Sequence, residues 1–194
     1  LAPPLTPQDV DVADAVQGTA FPHAVIVDCT ASENVAIMHS GWLERGCHVV
    51  SANRRCVAGS LDEYAERRMA ASRNNACYSY EVCVGGALPV LNAVRDLLDT
   101  GDTITKLEVA LSSTWGCVMG LISPVQGDPL PFSKAIGVAM SLGYTDRRIS
   151  EDLTLIDLSR KMTILAREVG MGVELSDVAK DRLLPPECDD ATLK

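Results

Sequence analysis

The chain has 194 residues, with 17 Lys and Arg against 26 Asp and Glu, so its formal net charge is −9. Hydrophobic residues make up 47% and aromatic residues 4%, which excludes a disordered, collagen-like or low-complexity chain and indicates a globular protein. The length fits one large domain or one and a half smaller ones. Because this net charge repels phosphate backbones and anionic lipids, we expect no nucleic acid and no membrane as partners.

The seven cysteines are interpreted as reduced thiols, because their number is odd and no Cys-x-x-Cys pair occurs. Cys47 and His48 are neighbours in a predicted strand, where adjacent side chains point to opposite faces. We therefore interpret Cys47 as a small buried apolar residue rather than as part of a catalytic dyad.

No stretch of the sequence has the composition of a membrane-spanning helix. The longest uncharged stretch, 109–126, is interrupted by serines, glycines and a proline. The chain begins Leu-Ala-Pro-Pro-Leu, without a methionine and without the apolar core of a signal peptide. We therefore expect it to be a piece of a longer protein or a processed product.

The first half of the chain alternates between strand and helix patterns. Residues 1–20 predict a loop and one short helical stretch. The β-branched run 23–28 is typical of a strand buried on both faces, and Ser60 with Glu63 forms a capping box. Further predicted strands cover 48–52 and 77–83, and predicted helices cover 33–45 and 60–75. This alternation predicts an α/β fold with a largely parallel sheet.

After Gly85 and Gly86 the pattern becomes richer in helices. Predicted helices cover 88–99, 115–122, 132–142 and 150–169, and one predicted strand covers 105–111. We place a domain boundary at this change, which gives predicted domains 1–84 and 85–194.

The long predicted helix 150–169 has two different faces. Asp157 and Lys161 lie on one side, where an acid and a lysine four residues apart are typical of a solvated ion pair. Leu153 and Ile164 lie beside them, so the alternative is that the charges border a partly apolar cleft. The predicted core face, nearly opposite, carries Leu155, Leu158, Met162, Leu165 and Val169.

Alternating parallel strands and helices are typical of domains that bind dinucleotide cofactors. The Gly-x-Gly-x-x-Gly loop that binds a pyrophosphate does not occur in the 194 residues, so we expect the chain by itself to bind such a cofactor weakly. The loops after the first two strands, 29–32 and 52–54, are the remaining candidates for a cofactor edge, although by pattern alone they are ordinary loops.

Five segments of the chain occur as specific strings in a fixed order. They are Val-Asp-Cys-Thr-Ala-Ser at 27–32, His-Val-Val-Ser-Ala-Asn at 48–53, Tyr-Glu-Val-Cys-Val-Gly-Gly-Ala-Leu-Pro-Val at 80–90, Gly-Tyr-Thr-Asp at 143–146 and Glu-Asp-Leu-Thr-Leu-Ile-Asp-Leu-Ser-Arg-Lys at 151–161. From about residue 25 to residue 187, their order and spacing resemble the homoserine dehydrogenase family. Members of this family interconvert aspartate 4-semialdehyde and homoserine in threonine, methionine and isoleucine biosynthesis.

The resemblance implies a fold and a cofactor. The expected fold is the C-terminal half of a Rossmann-like nucleotide-binding domain without its glycine loop, followed by an incomplete α/β catalytic domain. The expected cofactor is NADP or NAD, and the expected activity is that of an oxidoreductase. Thr30, Ala31 and Arg54 are the implied cofactor contacts, and a sodium site is implied at Glu81, Val84, Gly86 and Leu88.

The resemblance also implies residues that act on a small amino-acid substrate. Lys161 matches the family's acid–base residue at the carbonyl, and Asp157 matches the acid that orients and holds the substrate. An ammonium at the carbonyl oxygen stabilises the negative charge that develops as hydride arrives, and supplies the proton. Asp146 and Asp152 are implied to bind substrate together with Asp157.

Two departures from the family pattern leave two hypotheses open. Arg54 stands where the family has lysine, and an arginine does not exchange protons near neutral pH; Leu155 stands where the family has glycine. The first hypothesis is a truncated homoserine dehydrogenase, from a protein with or without a fused aspartate kinase. The second is a divergent homologue that has lost catalysis and serves as a scaffold or ligand-binding module. The resemblance implies a homodimer in the full-length protein and a cytoplasmic location, or a plastid location where a transit peptide precedes the chain.

Overall fold

The strands form a three-stranded parallel sheet in chain order. The structure, a computed structural model, describes residues 23–146, 148–181, 183 and 184. Strand β1 (Val25–Asp28) pairs with β2 (His48–Ser51), which pairs with β3 (Tyr78–Ser79). The predicted α/β fold with a parallel sheet is confirmed. The loop and helical stretch predicted for 1–20 lie outside the described residues.

Helices follow each strand of the sheet and make up the rest of the regular structure. They are α1 (Glu33–Glu44), α2 (Arg54–Val57), α3 (Leu61–Arg73), α4 (Val90–Asp99), α5 (Ser113–Ile122), α6 (Phe132–Ser141), α7 (Ile149–Leu153) and α8 (Ile156–Glu168), with 3₁₀ turns at Glu81–Cys83 and Leu175–Asp177. The Ser60 hydroxyl accepts from the backbone N–H of Glu63 at 3.3 Å, which confirms the predicted start of α3.

The described residues belong to two compact units. The first unit lies within Leu1–Thr103 and Thr163–Asp177, and the second lies within Ile104–Met162 and Val178–Lys194. The core of the first unit packs the sheet against α1 and α3, and it contains Cys47, which is 1% exposed, as predicted. The core of the second unit joins α5, α6 and α7. The predicted division into 1–84 and 85–194 stays a prediction.

The expectation that β1 is buried on both faces is wrong. Ile26 and Asp28 are 9% and 3% exposed, whereas Val25 and Val27 are 59% and 62% exposed. The strand lies at the edge of the sheet formed by the described residues, and only one of its faces packs against helices. A run of β-branched residues indicates a strand, but it does not indicate which faces of the strand pack against helices.

Two of the predicted strands also differ from the structure. Residues 105–111 form no strand, because the described residues of the second unit offer no strand to hydrogen-bond with them. The strand predicted at 77–83 ends at Ser79, since Glu81–Cys83 turns into a 3₁₀ helix. In both segments the local sequence pattern is typical of a strand, but within the described part of the chain no neighbouring strand pairs with the residues that fail to form one.

The predicted helix 150–169 is two helices, α7 and α8. The break falls at Leu155, whose φ of 62° is left-handed, and the Thr154 hydroxyl donates to the carbonyl of Ser150 at 2.6 Å. A left-handed residue after a helix end is usually glycine, because a Cβ is strained there. Leu155 occupies the position where the family pattern has glycine. The departure from the family pattern therefore falls at the residue that separates α7 from α8.

We expect Leu155→Gly to be more stable than Leu155→Ala by about 1 kcal/mol, because glycine relieves the left-handed strain while both variants lose the same packing. Urea unfolding of the two variants measures the difference. The control is Met119, inside α5 of the same unit. There the alanine variant is expected to be more stable than the glycine variant, because alanine is preferred in a helix interior. An alanine variant at 155 as stable as the glycine variant would contradict the strain.

The helix face predicted to be polar is buried, and the predicted core face is mostly half-buried. Asp157 and Lys161 are 7% and 8% exposed, and Ile164 beside them is fully buried. On the predicted core face, Leu165 is buried as expected. Leu155, Leu158 and Met162 instead line a surface cavity of about 300 Å³ within the second unit. Helical periodicity separated the two faces correctly but did not identify the buried one.

Candidate active site

Lys161 and Asp157 form a buried ion pair on α8. The Lys161 ammonium lies 2.7 Å from Oδ2 of Asp157 and donates to the carbonyl of Leu111 at 2.8 Å. The interpretation as a solvated surface pair is wrong, because each side chain is only 10% exposed. Burial removes competing water, so the ammonium is held in one place and its charge is weakly screened.

A second carboxylate, Asp152 on α7, holds the loop that carries Asp146. Oδ2 of Asp152 accepts from the backbone N–H of Asp146 at 2.7 Å, and the Asp152 carbonyl accepts from the indole N–H of Trp115 at 2.9 Å. Burial and the neighbouring carboxylates of Asp157 and Asp146 raise the pKa of Asp152, although hydrogen bonds from Asp146 and Thr114 oppose the shift. The structure therefore brings Asp146, Asp152 and Asp157 into one electrostatic neighbourhood.

The first turn of α5 anchors the other end of the same loop. The hydroxyls of Thr114 and Ser113 both donate to the carbonyl of Tyr144, at 2.7 and 3.1 Å. Asp146 itself is half-buried, and its Oδ1 accepts from the N–H of Arg148 at 3.0 Å. Sequence reasoning missed Thr114 as an anchor, because a threonine in a helical stretch carries no signal of a partner 30 residues away.

The carboxyl ends of β1 and β2 meet at a buried polar network in the first unit. The carboxylate of Asp28, the last residue of β1, accepts from the Thr30 N–H at 2.8 Å, from His39 at 2.9 Å and from the Asn53 amide at 3.0 Å. Asn53 also donates to the carbonyl of Ser32 at 2.8 Å. This network sets the path of the loop that exposes Thr30 and Ala31, the two implied cofactor contacts.

Arg54, the third implied cofactor contact, begins α2 directly after Asn53. Its Nε donates to the carbonyl of Cys83 at 3.0 Å, so the guanidinium is fixed at the same end of the sheet. In open α/β sheets ligands bind outside the carboxyl ends of the parallel strands, and the exposed loop with its fixed cation fits the edge of an anionic cofactor. Sequence reasoning did not find His39, and it named the loop that contains Asn53 without the role of the Asn53 amide, because both roles depend on neighbours from other elements.

The charge state of Asp28 follows from this network. Burial by itself would raise the pKa of Asp28, but hydrogen bonds from His39, Thr30 and Asn53 outweigh burial and lower it. Burial would likewise lower the pKa of His39, and its hydrogen bonds to Asp28 and Cys56 outweigh that effect and raise it. Between the lowered pKa of Asp28 and the raised pKa of His39, the pair is therefore an imidazolium and a carboxylate.

We expect Asp28→Asn to lower the free energy of unfolding at pH 6 and to lower it less as the pH falls. The folded-state pKa of Asp28 is below its ordinary value of 3.8, so its stabilisation is complete above that value and disappears as the pH falls through the lowered pKa. Urea unfolding of both proteins between about pH 6 and pH 3.5 measures the difference. The exposed Asp99→Asn is the control, and a difference for Asp28→Asn that does not shrink with pH would contradict the network.

The turn after β3 contains the residues of the implied sodium site. The Glu81 carboxylate accepts from the N–H groups of Leu91 and Asn92 at 2.9 and 3.0 Å, so it caps the first turn of α4. Gly85 and Gly86 have φ of 79° and 62°, and a Cβ on Gly85 would lie 2.5 Å from Val90. Among the described residues no cluster of acidic, histidine or cysteine side chains is arranged to hold a metal, so backbone carbonyls would have to coordinate an ion here.

Two models of known protein families match this chain. A family model described as homoserine dehydrogenase matches residues 89–191, more than half of the chain. The chain belongs to the homoserine dehydrogenase family. A second model, described as homoserine dehydrogenase, NAD binding domain, matches residues 3–81. The predicted family membership is confirmed.

Curated homoserine dehydrogenases that resemble this chain are much longer. The chloroplastic bifunctional aspartokinase/homoserine dehydrogenase 1 of Zea mays is 37% identical over 172 residues, which are 89% of this chain and 18% of that protein. The bifunctional aspartokinase/homoserine dehydrogenase of Haemophilus influenzae is 35% identical over 166 residues, 86% of this chain and 20% of that protein. The chain therefore spans about a fifth of the length of these relatives.

Solved structures show the same fold. A Candida auris protein of unknown function has a TM-score of 0.82 and 29% identity, covering 94% of this chain and 51% of that one. A hyperthermophilic archaeal homoserine dehydrogenase in complex with NADPH has a TM-score of 0.66 and 25% identity, covering 77% of this chain and 44% of that one. The Rossmann-like character of the homoserine dehydrogenase fold is thus confirmed. No helix in the part of the chain that the structure describes has the length and hydropathy to cross a membrane.

Proposed function

We propose that the protein containing this chain is a homoserine dehydrogenase that interconverts aspartate 4-semialdehyde and homoserine with NADPH or NADH. The observation that carries the proposal is the buried pair of Lys161 and Asp157, which holds an ammonium away from bulk water. A fixed ammonium can stabilise the negative charge that develops on the oxygen during carbonyl reduction, and it can supply the proton.

Lys161 acts on the carbonyl oxygen of the aldehyde. When bound, the reduced nicotinamide supplies the hydride. Asp157 and the carbonyl of Leu111 take two of the three N–H donors of the ammonium, at 2.7 and 2.8 Å, and leave the third for the substrate oxygen. As negative charge grows on that oxygen, the ammonium stabilises it and then donates a proton to it; in the reverse direction the amine takes the hydroxyl proton.

The acidic residues of the second unit bind the amino group of the substrate. Asp157 and Asp146 present carboxylates to it, and Asp152 holds the Asp146 backbone in place through its 2.7 Å hydrogen bond. A cationic amino group also favours the ionised form of this set, because it offsets the mutual repulsion of the carboxylates.

The first unit contacts the cofactor through Thr30, Ala31 and Arg54. Arg54 serves as a fixed positive charge rather than as a proton donor. Its Nε donates a hydrogen bond to the backbone carbonyl of Cys83, and a guanidinium stays charged near neutral pH. A sodium ion in the glycine turn, held by oxygens of Glu81, Val84, Gly86 and Leu88, would rigidify the segment that follows β3.

The whole protein is further proposed to be a homodimer that works in the cytoplasm, or in a plastid where a transit peptide directs it there. Residues 1–84 contribute part of the NAD(P)-binding domain and residues 85–194 contribute part of the catalytic domain. The family models, which match 3–81 and 89–191, support this division.

The proposal is tested with the full-length protein that contains this chain. Aspartate 4-semialdehyde is added with NADPH or with NADH, and the disappearance of the reduced nicotinamide is followed by absorbance. We expect turnover with at least one cofactor, and product analysis should show homoserine in equal amount to the cofactor oxidised. A protein that binds the cofactor and yet gives no homoserine would overturn the proposal in favour of a scaffold or ligand-binding role.

A further inference from the structure

His39 on α1 is a buried polar residue that the proposed reaction does not use. Its side chain is fully buried, with the ring centroid 5.3 Å from that of Trp42 and 5.8 Å from that of Tyr78. A polar ring in such surroundings is costly unless its nitrogens have hydrogen-bond partners. The partners of the two ring nitrogens therefore identify the elements that His39 connects.

Each ring nitrogen of His39 contacts a different strand of the sheet. Nε2 lies 2.9 Å from Oδ2 of Asp28, the last residue of β1. Nδ1 lies 3.3 Å from the hydroxyl of Tyr78 in β3. Because an ionised carboxylate only accepts hydrogen bonds, Nε2 is the donor to Asp28. The contact with Tyr78 on the other side of the ring sets the direction in which this donor points.

The Asp28 carboxylate connects His39 to the backbone of the loop after β1 (residues 29–32). Oδ2 accepts from His39 and from the Asn53 amide, which lies 3.0 Å away and also donates to the carbonyl of Ser32. Oδ1 accepts from the N–H of Thr30 at 2.8 Å. Two donors on Oδ2 fix the plane of the carboxylate, and this plane aims Oδ1 at the Thr30 N–H. Without the His39 donor the loop after β1 is held less tightly.

We propose that His39 is a positioning residue for the reduced nicotinamide cofactor, because it holds the loop after β1, through Asp28, in its binding conformation. Thr30 and Ala31 are both exposed on this loop. A loop that is ordered before the cofactor arrives loses less conformational entropy on binding, so the cofactor is bound more tightly. This inference rests on the proposed function, since Thr30 and Ala31 contact a cofactor only under that proposal.

The experiment uses the full-length protein that contains this chain and two replacements of His39. His39→Met keeps the volume and removes the donor, whereas in His39→Gln the side-chain amide takes the place of Nε2 as the donor. Calorimetry measures the binding of NADPH and of NADH. We expect His39→Met to bind the preferred cofactor about tenfold more weakly, and His39→Gln to bind it within about threefold of the native protein. Native affinity in His39→Met, or equal weakening in both variants, would overturn the proposal.

Hydrogen exchange gives a second measurement, which needs no bound cofactor. In the cofactor-free protein, the peptide that contains Thr30 should exchange about tenfold faster in His39→Met than in the native protein, because its N–H loses a fixed acceptor. Peptides from α3 (Leu61–Arg73) should exchange at the native rate. Native exchange at Thr30 in His39→Met would overturn the connection through Asp28.

Leu43→Ala is the matched control for a purely structural effect. Leu43 is fully buried on the same helix and in the same core, and alanine leaves a cavity there. We expect this variant to lose stability and to bind the cofactor as the native protein does. In steady-state kinetics, His39→Met should raise the KM of the reduced cofactor about tenfold, while kcat at saturating cofactor changes by less than about threefold. Weaker cofactor binding by folded Leu43→Ala, equal to that of His39→Met, would overturn the proposal.

Near-ultraviolet circular dichroism shows whether His39→Met is folded. If it is unfolded, Asp28→Asn decides, because asparagine keeps an oxygen for the Thr30 N–H but replaces the acceptor that His39 and Asn53 share. Cofactor binding about tenfold weaker in Asp28→Asn would then support the proposal, and native binding would overturn it.

Failure of the proposed function is distinguishable from failure of this inference. A full-length protein that binds NADPH or NADH but forms no homoserine would overturn the proposed reaction, while the role of His39 would still be decided by the binding measurements. A native protein that binds neither cofactor would overturn both.

Discussion

Lys161→Ala is expected to lower the turnover of aspartate 4-semialdehyde reduction by about a hundredfold or more, the usual effect of removing a positioned acid–base group. The substrate oxygen then loses both its proton source and the nearest positive charge. The measurement is steady-state turnover of the full-length protein, with aspartate 4-semialdehyde varied at saturating cofactor. Small primary amines added to the solution should restore part of the rate, because the truncated side chain leaves space for them.

The control for this prediction concerns Asp157, because alanine at 161 removes the ammonium that lies 2.7 Å from this buried carboxylate. Removing one charge of a buried ion pair costs several kcal/mol, so the single variant risks unfolding. The double variant Lys161→Met with Asp157→Asn removes both charges and keeps the volume, and it should fold and remain inactive. Turnover of a folded double variant within about threefold of the native rate would show that Lys161 is not the proton donor.

Arg167→Leu is expected to lower the free energy of unfolding by about 3 to 5 kcal/mol, because it leaves one buried and two partly buried carbonyls without a donor. The guanidinium, 5% exposed, donates to the carbonyls of Val57, Gly59 and Val173 at 2.7, 2.8 and 3.0 Å. These bonds join Arg167 to the end of α2, to Gly59 after it and to the segment that follows α8, and all of these residues belong to the first unit. Urea unfolding at neutral pH measures the loss.

Arg73→Leu is the matched control for Arg167→Leu. Arg73 is exposed in the last turn of α3, so its replacement should change the free energy of unfolding by no more than about 0.5 kcal/mol. A loss below about 1 kcal/mol for Arg167→Leu would contradict the assigned role, because one unsatisfied buried carbonyl alone costs that much.

The fold class and the family were within reach of sequence reasoning. Alternating strand and helix patterns predicted the parallel sheet, and the Ser60 cap predicted where α3 begins. The spacing of Asp157 and Lys161 predicted an ion pair, which the structure contains. These features depend on residues close together in the chain, where backbone geometry alone sets the distances.

The tertiary structure decided which surfaces are buried and which polar groups meet. Only packing shows that Lys161 and Asp157 are buried while Leu158 and Met162 line an open cavity, because a helix with two apolar edges offers the core either face. The strand expected at 105–111 does not form, since a strand needs a neighbour that local sequence does not provide.

By itself, then, the sequence determined the family, the parallel α/β sheet and the identity of the ion pair. The hydrogen bonds among Asp28, His39 and Asn53 were decided by the tertiary structure, because they join residues from three elements separated by up to 25 positions. Nothing in the chain near His39 specifies its partner. The physical reason is that periodicity and propensity act over one or two turns, whereas burial and electrostatics depend on whatever the fold places within a few ångströms.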